Sequence, residues 1–101
     1  MTISYRASDG TAIGCTPFGS GSPLILVHGV SADSTFWLPV VPALANAHRV
    51  LSMDRRGRGD SGDHPEYEIE KEFSDLAGLI DSIGEPVDVV GHSFGALCAL
   101  E

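Results

Sequence analysis

Two kinds of hydrophobic pattern alternate along the chain. Leu24-Ile25-Leu26-Val27 is a continuous apolar run, Arg49 to Met53 contains a second and Val87 to Val90 a third. Runs this short and this apolar suit strands covered on both faces, as in a parallel sheet. Between them lies a different period. Ile69, Phe73, Leu76, Ile80 and Ile83 recur three or four residues apart and predict an amphipathic helix. Glu66, Glu68, Glu70 and Glu72 crowd its N-terminal end, where the helix dipole favours negative charge, and its remaining face is expected to be charged and solvated. Gly84 and Pro86 stand where a C-cap and a stop belong. Upstream, Thr2 to Ala7 and Thr11 to Phe18 read as two strands joined at Ser8-Asp9-Gly10, whose Asp-Gly pair is a strong hairpin signal. Phe36 to Ala47 reads as a helix with Pro39 in its first turn, while Pro42 marks a kink or a late start. Asp54 to about Pro65 is a polar loop, and Ala96 onward is helical again.

The resulting order is β-β-β-α-β-α-β-α, which predicts an α/β sheet with right-handed crossovers and no linker or internal repeat. Ligands of such sheets bind beyond the carboxyl ends of the strands. His28, Asp54 and Ser93 each fall just past such an end.

Composition narrows the classes of function. With 101 residues, 43% hydrophobic and 20% charged, the chain has the makings of one small globular unit. Six Lys and Arg against fourteen Asp and Glu give a net charge of −8, which argues against nucleic acid or an anionic membrane as a partner. The first residues lack a basic segment followed by an apolar one, and no stretch reaches transmembrane length, so a cytoplasmic protein is the default expectation. Cys15 and Cys98 are expected to be reduced core thiols, and neither has a metal-ligand spacing. His48 and His64 read as surface residues.

The chemistry concentrates at Gly91-His92-Ser93-Phe94-Gly95, a G-x-S-x-G pattern between the last strand and the last helix. In that setting the motif is a nucleophile elbow, a bend that exposes the serine hydroxyl at the sheet edge. Gly91 and Gly95 are expected where strand and helix cross too closely for a Cβ. The helix that follows aims free N–H groups at the serine and stabilises negative charge there. A second pattern, Gly57-Arg58-Gly59-Asp60-Ser61-Gly62, matches the dinucleotide fingerprint G-x-G-x-x-G after a strand, but Asp63, His64 and Pro65 follow it where a helix should begin. Arg55, Arg56 and Arg58 in this loop are expected to pair with Asp54, Asp60 and Asp63 rather than to hold a phosphate.

Taken together, the N-terminal hairpin, the Leu24 to Gly29 strand ending in His-Gly, the Phe36-Trp37 helix, the Asp54 to Ser61 loop and the Gly91 to Gly95 elbow resemble the α/β-hydrolase family in residue type and order. The resemblance covers the whole chain. It implies an antiparallel hairpin leading into a mostly parallel sheet with helices on both faces. It also implies a serine hydrolase with Ser93 as nucleophile and the backbone N–H groups of Val30 and Phe94 as the oxyanion hole. By the same resemblance His28 is structural and holds the loop of Gly29, and His92 serves packing or a specificity pocket. Family members that open epoxides or remove halides carry an aspartate where Ser93 stands. The implied substrate is therefore a small carboxylic ester, lactone or related acyl compound, cleaved through an acyl-enzyme without metal or organic cofactor. The family's triad acid and base follow the elbow and are not found before Glu101. The chain is accordingly expected to be the N-terminal part of a single domain, and by itself inactive and poorly soluble. A hydrolase-like binding protein or receptor on the same fold stays open, and oligomeric state is not legible.

Overall fold

The aliphatic runs form a single five-stranded sheet in a structure, a computed structural model, that describes residues 3–29, 32–57, 59, 61–62, 69–92 and 95. The strands are β1 Ile3–Arg6, β2 Ala12–Phe18, β3 Ser22–Val27, β4 His48–Met53 and β5 Asp88–Gly91, in the spatial order β1-β2-β4-β3-β5. β1 and β2 make the predicted hairpin. Gly10 has φ 90° at its turn, where the Ala7 carbonyl accepts from Gly10 N–H at 2.9 Å and the Asp9 carboxylate accepts from Thr11 N–H at 3.0 Å. β2 runs antiparallel to β4, whereas β3, β4 and β5 are mutually parallel with β3 in the middle.

Register decides where the functional residues emerge. Val27 pairs with Met53 on one side and Gly91 on the other, so three parallel strands end in one row. The next residues, His28, Asp54 and His92, therefore leave the sheet at the same edge.

Alternation along these strands fills two cores. Ile25 and Val27 of β3, Leu51 and Met53 of β4, and Ile13 and Cys15 of β2 pack with Leu76 and Leu79 of the long helix. Leu24, Leu26 and Val50 point to the opposite face and meet Val41, with Trp37 and Leu44 partly buried beside them. Helices thus cover both faces. Burying each such aliphatic side chain stabilises by about 1.5–3 kcal/mol.

The helix predicted from the apolar stripe runs from Ile69 to Ile83, and Gly84 ends it at φ 75°. At Gly78 the helix passes close to β1, where an added Cβ would meet the phenol end of the Tyr5 side chain and displace it. This helix departs from expectation in one respect: Glu72 and Asp75 are buried rather than solvated.

The segment expected to be one helix from Phe36 to Ala47 is broken. A 3₁₀ turn occupies Ser34–Trp37 and a four-residue helix, α1, occupies Val41–Leu44; the long helix is α2. The prolines explain the break. Pro39 and Pro42 have no N–H to give to the carbonyls of Thr35 and Leu38, and the Pro42 ring would crowd the Leu38 carbonyl if a helix ran through. Leu38 N–H donates to Thr35 O at 3.1 Å and Val40 N–H to Trp37 O at 2.9 Å, so the chain turns instead, and Pro42 is accommodated in the first turn of α1.

Candidate functional site

The loop after β4 organises the sheet edge because successive side chains are sent in different directions. Asp54 is buried and accepts from the Ser34 N–H at 2.7 Å, while the Ser52 hydroxyl donates to the Ser34 carbonyl at 2.8 Å. The backbone N–H and C=O of Ser34, in two successive peptide groups, are thus held by side chains at the end of β4 and just after it. Asp33 caps the 3₁₀ turn by accepting from the Thr35 hydroxyl and, at 2.9 Å, from Thr35 N–H, and these two bonds, the hydroxyl's first, hold its carboxyl below its usual range.

Arg55 and Arg56 turn towards α2. Arg55 donates from Nε and Nη2 to the two carboxylate oxygens of Glu72 at 2.6 and 2.8 Å. Arg56 makes the same fork with Asp75 at 2.7 and 2.8 Å and adds a bond to Asp9 of the hairpin turn at 2.8 Å. The forks of Arg55 and Arg56 therefore go to carboxylates of α2 and the first hairpin, partners that the expected pairing within the loop did not include. The physical reason is the helix repeat, which places residues 72 and 75 on one side of α2, against the loop. Arg58, Asp60 and Asp63 lie outside the described residues. The sequence did carry a signal for this: two acidic positions bordering an apolar stripe, and two adjacent arginines after a buried strand.

The rest of the loop is strapped to the sheet. Gly57 N–H donates to Gly62 O at 2.8 Å and Gly62 N–H to Ala12 O at 2.7 Å, while Ser61 Oγ accepts from Gly14 N–H at 2.8 Å and donates to the Asp54 carbonyl. The amides of Gly57 and Gly62, which a dinucleotide-binding turn would offer to a pyrophosphate, are thereby engaged within the protein. Gly59, at φ 48°, lies where a Cβ would press into the Asp54 carboxylate.

His28 is fully buried between this loop and the one that follows β3. Arg55 N–H donates to its Nε2 at 3.0 Å, so that nitrogen is the acceptor and Nδ1 carries the proton, which is donated to the Gly29 carbonyl at 2.8 Å. Both ring nitrogens are occupied and the ring is neutral. Burial pushes its pKa below the ordinary histidine value.

At the end of β5, Gly91 completes the strand opposite Val27. His92 N–H continues the ladder by donating to Val27 O at 3.1 Å, and Gly95 N–H closes a turn onto His92 O at 2.9 Å. A Cβ on Gly95 would run into the carbonyls of Val27 and His28, so the backbone crosses β3 at contact. The exposed His92 ring stacks on Phe36, centroids 4.8 Å apart and planes 30° apart, and Phe36 meets Trp37 edge to face at 5.1 Å. Three residues assigned roles from the sequence, Ser93, Phe94 and Val30, lie outside the described residues, as do Cys98 and His64. Cys15 is a buried free thiol whose pKa burial raises to about 11. Among the described residues no three His, Cys, Asp or Glu side chains cluster as a metal ion would require, and no helix is long and apolar enough to cross a membrane.

Comparison with known proteins places this geometry. Residues 24–101 match the Alpha/beta hydrolase family. A soluble epoxide hydrolase from Corynebacterium sp. (strain C12) is 38% identical over 84 residues, which are 80% of this chain and 29% of the relative. A crystal structure of an alpha/beta hydrolase from Sphaerobacter thermophilus is similar at a TM-score of 0.89 with 43% identity, over 97% of this chain and 38% of that one. An esterase from Exiguobacterium antarcticum superposes at a TM-score of 0.92 with 29% identity, over 99% of this chain and 38% of its own. The chain spans about a third of the length of the curated relatives it matches.

Proposed function

The chain belongs to the alpha/beta hydrolase family, and from that premise we propose that the protein is a serine hydrolase of small acyl substrates with Ser93 as its nucleophile. Its relatives are hydrolases of several kinds, including an epoxide hydrolase, a fluoroacetate dehalogenase and an esterase. The serine at position 93 favours the acyl-transfer branch, since the epoxide- and halide-cleaving branch resembles this one with an aspartate there.

The observation that carries the reading is the crossing at Gly95. The G-x-S-x-G motif is anchored at both described ends, His92 to Val27 and Gly95 to His92, and its second glycine touches the β3 carbonyls where the His28-Gly29 loop departs. That is the setting in which the central residue of the motif works as an elbow nucleophile. In this proposal the Ser93 oxygen attacks the carbonyl carbon of an ester or lactone while its proton passes to a histidine base. The N–H groups of Val30 and Phe94 take the oxyanion, each worth about 3 kcal/mol in the transition state. The alcohol leaves with that proton, and water then hydrolyses the acyl-enzyme.

The test is turnover of a p-nitrophenyl ester series by the product of the complete reading frame. Ser93→Ala is expected to lower kcat at least ~10³-fold with the fold intact. Unchanged turnover in that variant would remove the serine reading, and tight binding of acyl compounds with no turnover would favour a binding protein.

A further inference from the structure

Buried hydrogen bonds joined through the covalent frame of Arg55 and the ring of His28 run from α2, on one face of the sheet, to the Gly29 carbonyl after β3. Glu72 accepts both forks of Arg55, Arg55 N–H donates to His28 Nε2, and His28 Nδ1–H donates to the Gly29 carbonyl. Glu72 and Arg55 are each 3% exposed and His28 is 0% exposed. The direction of every link is forced. A carboxylate only accepts, a guanidinium and a backbone N–H only donate, and so a neutral imidazole between them has one way to place its proton. Water cannot substitute freely for any of these partners at such burial.

The last link has a consequence beyond the carbonyl it touches. A peptide group is planar and trans, so a carbonyl and the N–H of the residue that follows it point in opposite directions from one rigid plate. Whatever aims the carbonyl aims the amide. We propose that Glu72 and Arg55 are positioning residues for the oxyanion hole, setting the direction of the amide at position 30 through the His28 ring. This rests on the serine-hydrolase reading above. Losing the Glu72 carboxylate would take away the two bonds that hold the buried Arg55 guanidinium against α2, and the backbone of Arg55 would shift as that side chain resettles. Because Arg55 N–H is the donor that orients the imidazole, that shift passes to the ring and from the ring to the plate.

The structure supplies its own control. Arg56 and Asp75 form a second buried fork between the same loop and the same helix, one residue along, and among the described residues it is the backbone N–H of Arg55, not that of Arg56, that reaches His28. Both forks stabilise, and the inference assigns catalytic geometry to one of them.

The experiment compares Glu72→Gln with Asp75→Asn in the complete gene product, reading kcat, KM, Tm and the inhibition constant of a trifluoromethyl ketone, which mimics the oxyanion. Glu72→Gln is expected to lower kcat about 10- to 100-fold, less than the ~10²–10³-fold that removing an oxyanion donor costs. KM should stay within about twofold and the ketone should weaken in parallel with kcat. Asp75→Asn should lower Tm comparably yet leave kcat within about threefold. Arg55→Lys, which keeps the charge and loses the fork, is expected to show the same kcat signature as Glu72→Gln and serves if that variant does not fold. His28→Asn retains a donor near the Nδ1 position and should keep more kcat than His28→Gln, which does not. Equal kcat losses in Glu72→Gln and Asp75→Asn, or a lower Tm with kcat unchanged in the residue 72 and 55 variants, would overturn the proposal. Full turnover in Ser93→Ala would instead sink the reading it rests on.

Discussion

The two faces of the sheet are held by different physics. On the face covered by α2 the apolar core is sealed at one end by two buried arginine forks, each joining a loop residue to a helix carboxylate. On the other face a 3₁₀ turn and a one-turn helix cover a smaller core, and Phe36, Leu38 and Val40 stay 45–48% exposed. What fixes that second face is the grip of Asp54 and Ser52 on the backbone N–H and C=O of Ser34. Consecutive residues therefore split their work: Asp54 holds one face, Arg55 and Arg56 hold the other, and the site lies between. The lesson is that a site at the end of a parallel sheet can be fixed from both sides by one loop.

The sharpest way to break the contrast is to remove a fork. Arg56→Ala leaves Asp75 charged and buried, and should destabilise by about 3–5 kcal/mol in urea unfolding. Replacing both partners, Arg56→Met with Asp75→Leu, should recover most of that loss, because the cost lies in the orphaned charge rather than in the missing pair. If the single variant costs under about 1 kcal/mol, the fork is no more than a surface pair. On the opposite face, Asp54→Ala strands the Ser34 amide and should cost about 1–3 kcal/mol, read in the same unfolding experiment.

Acid provides a milder perturbation at the junction. His28 titrates below its ordinary value in the folded protein because burial disfavours its charge, so the unfolded chain takes up the proton first. Its contribution is full above about pH 6.5 and is lost as pH falls below that value, with a slope of at most about 1.4 kcal/mol per pH unit. His28→Gln should flatten the stability profile between pH 7 and 5. Asp9 works in the opposite sense and a lower window, since Arg56 holds its carboxyl far below the ordinary 3.8 and its contribution fades only as pH drops beneath that value. The smallest effect is expected from Leu38→Gln on the exposed segment, within about 0.5 kcal/mol by thermal unfolding.

These regions also differ in how well the sequence disclosed them. The course of α2 and its C-terminal end were legible because Ile69 through Ile83 keep one period and Gly84 stops it, and β3 was legible because four aliphatic residues in a row leave no amphipathic alternative. The segment from Phe36 to Ala47 was not, since its apolar residues suggest a helix while Pro39 and Pro42 veto the hydrogen bonds that would make one. At the candidate site the order of His28, Asp54 and the elbow along one edge followed from parallel strands alone. The partners of Arg55 and Arg56 did not, because a helical period shows that Glu72 borders the apolar stripe but not what lies opposite. The bond from Arg55 N–H to His28 joins residues 27 apart through a backbone atom, and no side-chain pattern announces it.

The most direct measurement is covalent capture. The product of the complete reading frame, treated with a fluorophosphonate, digested and analysed by mass spectrometry, should carry one adduct per chain on the peptide containing Ser93, and ester turnover should fall in step with labelling. Undiminished ester hydrolysis with Ser93 unlabelled, or labelling at another residue that tracks the loss of activity, would contradict the account.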